Sequence, residues 1–193
     1  MIPIANDYNT AQAYDGQANR RLTPGGHICR IQRAYMSQSR AGNDMLVIEF
    51  DIDEGGEFDG WFRQQYQRAY KAAGSAAKWR GCYYLLLKTP EGATNGRFKA
   101  FMEAVEQSNS GYDFVRSGGD EAALKNRTVG FCFQEEEYIG NDNNVRVSVK
   151  PIYAVPVSRI RDGLPVPEMK RLENRPIPPA SEDTEVEDPG LPF

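Results

Sequence analysis

Aromatic and cationic side chains alternate most closely in two segments of the sequence, residues 61–66 and 78–84. A groove that binds a single nucleic-acid strand needs cations along the phosphates and flat rings on which bases stack, and each stacked base contributes about 1–3 kcal/mol. The alternative for any one ring is packing in the core, the commoner fate of a Phe. The DNA-binding residues predicted in these segments are Trp61, Arg63, Tyr66, Lys78, Trp79, Arg80 and Tyr83.

Basic residues also alternate with apolar ones in the predicted first and last strands. Because successive side chains of a strand point to opposite faces, such residues would form a basic stripe on the polar face of a sheet. Four further DNA-binding candidates come from these strands and their ends: Arg30, Arg33, Arg146 and Lys150. The alternative for Arg30, Arg146 and Lys150 is a solvated face on which they pair with Glu49 and Asp51, since cross-strand ion pairs are common on sheets.

The residues that would support catalysis are few. Glu135–Glu137 could suggest a metal-dependent nuclease, but adjacent strand residues point to opposite faces and do not converge on one ion. The sequence has one histidine, His27, no phosphate-binding glycine loop and no recognisable zinc spacing. Its three cysteines are far apart and odd in number, which favours buried thiols over disulfides. The sequence therefore predicts a non-enzymatic protein without a catalytic residue, metal or cofactor.

Alternating and helical patterns predict the elements that would position these residues. Residues 45–52 form the clearest strand, because every second side chain is apolar. Residues 98–109 carry apolar side chains at helical spacing. Further strands are predicted at 27–35, 58–66, 79–87, 129–133 and 145–150, although residues 66–73 also fit a helix. Short strands in hairpins with one short helix predict an all-β fold, a Greek-key barrel of the OB type, with disordered termini.

Charge and composition divide the 193 residues into four parts. We predict an N-terminal arm (1–21), an OB-type DNA-binding domain (22–160), a Pro-rich linker (161–180) and an acidic tail (181–193). The tail holds five acidic and no basic residues, so the rest of the chain has 23 basic and 22 acidic ones. No apolar run approaches the ~18 residues of a membrane span, and no signal peptide is evident. The expected location is the cytoplasm.

The tail ends in a hydrophobic residue, a proline and a phenylalanine. It resembles the tail of bacterial and phage single-stranded-DNA-binding proteins, in which an acidic stretch ends in the same way. The resemblance implies that the terminal ring enters a pocket on a partner while acidic residues steer it there. The partner-binding residues so implied are Asp188, Leu191, Pro192 and Phe193. The alternative is a solubilising tail, and Pro189-Gly190 stands where that family keeps acidic residues.

The body also resembles a known group. The order of Pro24-Gly25-Gly26, Phe98-Lys99-Ala100-Phe101 and Val166-Pro167-Glu168 is similar to that in small replication-module proteins of phages that infect Gram-positive bacteria. Those proteins are taken to be OB-fold single-stranded-DNA binders. Both resemblances imply sequence-independent binding of single-stranded DNA in phage replication and recombination in the host cytoplasm. Whether the protein forms a homo-oligomer is left open by the sequence. A recombination mediator that binds protein remains the alternative.

Overall fold

The longest strand, β1 (Gly25–Gln38), organises the fold because it pairs with two neighbours. Its first residues pair antiparallel with β4 (Thr128–Ile139), and residues from Cys29 onward pair with β2 (Asp44–Ile52). The pairing of β1 with β2 shifts register between Ile31 and Arg33, just after the last β1 residue that pairs with β4, Arg30. The computed structural model of the chain describes residues 20–173, together with residues 3, 6, 8 and 9.

Two shorter ladders complete an antiparallel sheet. β3 (Cys82–Leu86) pairs with β2, and β5 (Val145–Val155) pairs with β4. The strand order is therefore β3-β2-β1-β4-β5. Within the described residues no ladder joins β3 to β5, so the five strands form one open sheet and the predicted OB-type barrel is not confirmed.

Apolar side chains from the sheet and one helix form the core. Phe50, Phe131 and Phe133 are fully buried, and the rings of Phe50 and Phe131 lie 4.6 Å apart between centroids. Helix α2 (Gly96–Ser108) buries Phe101 and Val105 against them, as its apolar spacing predicts. The Asn95 side chain caps this helix by accepting a hydrogen bond from the Arg97 N–H.

The segment predicted as a third strand is a helix instead. α1 (Trp61–Ala73) lies between β2 and β3, and the expectation of a strand over 58–66 is wrong. The helical spacing of residues 66–73 prevails, and a distant carboxylate, Asp51, accepts the N–H groups of the first turn. With α3 (Val157–Arg161) after β5, the chain has more helix than the one short helix expected.

The remaining predicted elements are confirmed with small shifts in their ends. β1, β2, β4 and β5 cover the strands expected there, and β3 is shorter than the predicted segment because residues 79–81 precede it as an extended loop. α2 matches the predicted helix. Two 3₁₀ turns, Gly74–Ala76 and Glu121–Leu124, complete the structure. No helix in the described part has the length and apolar character needed to cross a membrane.

The part of the predicted linker that the structure describes lies against β4. The Lys170 N–H donates to the Glu135 carbonyl at 2.8 Å, and the Glu137 N–H donates to the Lys170 carbonyl at 2.9 Å. These bonds form a parallel bridge at a stretch of β4 that β1 does not cover. Residues 168–172 thus follow the sheet edge, up to the point where the description ends at residue 173.

Candidate nucleic-acid interface

A cleft runs between α1, with the segment that follows it, and β5. It has two lobes of about 800 Å³ and about 750 Å³. Both lobes are lined by Phe62, Arg80, Val149 and Lys150, so they form one continuous depression. The first lobe extends towards the start of β3, and the second extends towards residues 20–22 and the start of β5.

The lining of the cleft is cationic. Seven basic residues and no Asp or Glu are among its described lining residues. Side chains of one sign on apolar walls focus the electrostatic field and attract a polyanion. The basic residues are Arg20, Arg21, Lys78, Arg80, Arg97, Arg146 and Lys150.

Two of the predicted cations line the cleft without an ion pair to any described residue. Lys78 and Arg80 are exposed, and neither forms an ion pair with another residue in the described ranges. Arg80 lines both lobes. Because no carboxylate has to be displaced, these two side chains can contact a phosphate directly.

The cations of β5 are already paired. The Arg146 Nη2 lies 2.7 Å from Oδ2 of Asp142, and the Lys150 Nζ lies 2.7 Å from Oε2 of Glu136. The pKa of Glu136 is lowered because Lys150 and also Lys170 donate hydrogen bonds to it. Ion pairs at this exposure stabilise a protein by about 0–1 kcal/mol, so a phosphate can compete with these carboxylates for their cations.

The two tryptophans line different lobes and are half-buried. Trp61 meets the Phe58 ring edge-on at 5.5 Å, and Trp79 lies 5.9 Å from the Tyr66 ring. The Trp79 indole N–H donates to the carbonyls of Phe50 and Gly81, each at 3.2 Å. Trp79 therefore fixes the loop beneath α1, and only its remaining exposed surface faces the cleft.

The two tyrosines of β3, of which only Tyr83 is a predicted DNA-binding residue, divide between the core and the surface. Tyr83 lines the first lobe, but it is 7 % exposed and its ring centroid lies 5.0 Å from that of Phe131, so little of the ring is open to a base. The next residue, Tyr84, points to the other side of the strand and is 59 % exposed beside the first lobe. Strand alternation makes Tyr84 the ring that a base can reach.

Three predicted DNA-binding arginines lie outside the cleft lining. Arg30 pairs with Asp53 and also donates to the Asn126 carbonyl. Arg33 lies 3.7 Å from Glu49 and stacks over a tyrosine ring. Arg63, on α1, is exposed and lies 4.0 Å from Asp51. The basic stripe is thus split: the β1 arginines belong to a solvated, ion-paired surface, whereas the β5 residues face the cleft.

No protein-family model matches the chain, and no curated protein matches it. The partner-binding residues predicted in the tail, Asp188, Leu191, Pro192 and Phe193, lie outside the described residues.

The acidic run on β4 has no geometry for a metal. Glu136 is paired with two lysines, and Glu137 is buried and accepts a hydrogen bond from the Leu172 N–H at 3.1 Å. In the described part of the chain, no three His, Cys, Asp or Glu side chains come together as metal ligands would. Cys82 lines the cleft, but burial raises the pKa of its thiol.

Asp51 was expected on the solvated face of β2 and is instead 3 % exposed beneath the first turn of α1. Its Oδ1 accepts the N–H groups of Ile52 at 3.0 Å and Phe62 at 2.8 Å, and its Oδ2 accepts that of Arg63 at 3.3 Å. Burial raises the pKa of this carboxyl, against the hydrogen bonds and the Arg63 charge, which lower it. Asp51 therefore caps a helix from a neighbouring strand.

The raised pKa of Asp51 predicts a pH-dependent contribution to stability. The folded protein binds this proton more tightly than the unfolded chain, so the contribution is largest below the ordinary carboxyl pKa and is lost as pH rises through the raised value. We expect the free energy of unfolding of the wild type, relative to Asp51→Asn, to fall as pH rises from the ordinary carboxyl pKa of about 4 through the raised pKa of the folded protein. Urea denaturation across this range measures it; a difference independent of pH would contradict the assignment.

The sequence patterns missed several cleft residues. Tyr84 was recoverable, because alternation on β3 places it opposite a buried neighbour. Arg97 was not, since its guanidinium reaches the cleft from α2 and donates to the Ile152 carbonyl on β5 at 2.6 Å. Arg20 and Arg21 precede the first strand and line the second lobe. No local pattern brings these three segments together.

Proposed function

We propose that this protein binds single-stranded DNA, largely independently of sequence, in the cleft between α1 and β5. The observation that carries the proposal is the lining of that cleft, which combines seven cations, no carboxylate and partly exposed aromatic rings. Phosphates would follow the cations, and bases would stack on the rings. No catalytic step is part of this proposal.

Unpaired bases fit the cleft better than a duplex does. The rings of Trp61, Trp79 and Tyr84 line the cleft. A base in a duplex is stacked on its neighbours and cannot reach such a ring, whereas a single strand can splay its bases. The aromatic component therefore favours single strands, while the cations attract both forms.

The connectivity of the sheet supports an OB-type fold for the binding domain. In that fold a five-stranded, partly open Greek-key barrel binds oligonucleotides. Here β1 is shared by β2 and β4, and α2 connects β3 to β4. The Tyr83 hydroxyl and the Arg97 guanidinium both donate to the Ile152 carbonyl, which links β3 and α2 to β5 across the open side. We propose that these contacts take the place of the missing ladder.

A direct titration tests the proposal. Fluorescence anisotropy with a labelled oligothymidine and a duplex of equal length should show much tighter binding of the single strand, with affinity falling as salt rises. Equal affinity for both would contradict the proposal. Magnesium-dependent cleavage of either would also contradict it and would indicate a nuclease.

Tyr84 should contribute one stacking interaction. We expect Tyr84→Ala to weaken oligothymidine binding by about 1 kcal/mol, roughly fivefold, because an exposed ring beside the cleft is lost. Anisotropy titration at constant salt measures the change. Tyr153, which is 40 % exposed on β5 but is not among the cleft residues, provides the control variant Tyr153→Ala. Equal effects of the two substitutions would exclude stacking on Tyr84.

We further propose that the acidic tail, residues 181–193, recruits phage or host replication and recombination proteins. Their anchor would be Leu191, Pro192 and Phe193, steered by Asp188 and its acidic neighbours. The cytoplasm of the host cell is where such partners would be met.

A tethered acidic segment also competes with DNA for the cations of the cleft. Deleting residues 181–193 removes five carboxylates and no cation. We expect single-strand affinity to rise about twofold at low salt and to be unchanged at about 0.3 M salt, where charges are screened. Paired titrations of the full and shortened chains measure this. Weaker binding by the shortened chain would show that the tail assists binding instead.

A further inference from the structure

Helix α1 is attached to the rest of the protein by few contacts. Of its 13 residues, only Phe62 is buried. Glycines with positive φ stand at both ends, Gly60 at 66° and Gly74 at 56°. Tyr66 and Tyr70 pack against each other, and Tyr66 also contacts Trp79. A helix with so little buried surface opens at a lower free energy than the sheet to which it is docked.

One buried carboxylate holds the first turn of this helix. The N-cap residue is a glycine, so no side chain at that position caps α1. Asp51 takes over this role from β2, accepting the N–H groups of Phe62 and Arg63 while it also accepts that of Ile52. These hydrogen bonds join the helix to the end of β2, beside the ring of Phe62.

We propose that Asp51 is a positioning residue of the cleft. Its hydrogen bonds dock α1, which forms one wall of the cleft and opens independently of the sheet, and bound single-stranded DNA holds this wall closed. α1 lines both lobes, through Trp61 and Gln65 in one and Ala69 and Ala73 in the other. A strand in the cleft contacts α1 and β5 together and therefore stabilises the docked helix. This inference rests on the proposed function.

Three variants separate docking from charge and from folding. Asp51→Ala removes every acceptor oxygen of this side chain. Asp51→Asn keeps one oxygen in the place of Oδ1, which accepts the Ile52 and Phe62 N–H groups. Asp44→Ala removes the same charge from the exposed other end of β2 and is the matched control. If the Ala variant does not fold, hydrogen exchange in the wild type with and without oligothymidine still tests whether α1 opens separately and is held closed by DNA.

Hydrogen exchange read by mass spectrometry, with and without oligothymidine, tests the proposal. In the free protein, peptides from α1 should exchange faster than those from β1, β2 and β4, and oligothymidine should slow exchange in α1. Asp51→Ala should speed exchange in α1 about tenfold and weaken oligothymidine binding by a similar factor, with the sheet unchanged. Asp51→Asn should stay within about threefold of the wild type, and Asp44→Ala should match it.

The outcomes distinguish this inference from the proposed function. Exchange of α1 at the same rate as the sheet, or no change in α1 on Asp51→Ala, would overturn the docking role. If oligothymidine binds but leaves exchange in α1 unchanged, the closing wall is excluded while DNA binding stands. If the wild type does not bind oligothymidine at all, the proposed function fails, and the closing wall fails with it; the comparison of the free variants still decides whether Asp51 docks α1.

Discussion

Replacing Lys78 and Arg80 together by Glu should weaken oligothymidine binding by about 100-fold or more at about 0.1 M salt. Both side chains are exposed and lie in the cationic cleft, and Arg80 faces both lobes. The change converts two attractive charges into two repulsive ones along the proposed path of the phosphates. Neither residue forms an ion pair with another described residue, so the substitutions break no stabilising pair.

The salt dependence gives a second measurement of the same variant. Each phosphate contact on a single strand contributes about 0.7 to the slope of log K against log salt, so losing two contacts should lower that slope by about 1.4. Arg116→Glu with Lys125→Glu is the matched control, because both residues are exposed, lie outside the cleft lining and give the same net charge. Equal weakening by both double variants would mean that overall charge, and not the cleft, governs binding. Thermal unfolding of each variant confirms that the fold is retained.

The segment around these two residues was predictable from sequence because its signal is local. Lys78, Trp79 and Arg80 follow one another, and any fold that exposes this segment brings them to one surface. Strand alternation distinguishes Tyr83 from Tyr84, since the buried and exposed residues of β3 alternate and Tyr84 is the exposed one. Residue types thus predict a site of cations and aromatic rings, and the two-residue alternation of the strand decides which ring is exposed to a base.

The start of helix α1 was not predictable, because its cap comes from another element. The aromatic density of residues 58–66 is typical of a strand, and a glycine at the N-cap gives no side-chain signal for a helix. The signal that decides the structure is Asp51, whose carboxylate reaches the helix from β2. A carboxylate that alternates with apolar strand residues reads as solvent-facing, and only the tertiary structure shows that it is buried.

The pairing of basic residues also depended on distant partners. Glu49 does form an ion pair, but with Arg33 and not with Arg30, which pairs with Asp53 instead. Arg97 joins the cleft only because the start of α2 lies beside β5. Closure of the sheet likewise depends on residues far apart in the chain. No local pattern indicates whether β3 and β5 form a ladder or are linked by side chains. The strands were therefore predictable, and their closure was not.

Gly81→Ala should cost about 3 kcal/mol of stability or displace α1 from the sheet, and in either case should abolish most DNA binding. Gly81 is buried where the loop after α1 meets β2. A Cβ at this position would lie 2.3 Å from the Phe50 carbonyl oxygen and 2.7 Å from the Phe62 ring. Both distances are far inside van der Waals contact, so at least one neighbour must move.

Neither neighbour can move without damage to the cleft. The Phe50 N–H donates to the Gly81 carbonyl at 2.8 Å, so moving this backbone strains the junction of β2 and β3. Phe62 is the only buried residue of α1, so moving its ring undocks the helix.

The control is Gly96→Ala at the start of α2. An added Cβ there meets nothing within 4 Å, and the substitution should stabilise the protein by about 0.5–1 kcal/mol at most. Urea denaturation and oligothymidine titration of both variants measure the effects. Wild-type stability and affinity in Gly81→Ala would show that α1 does not pack on this glycine and that the wall of the cleft has been misplaced.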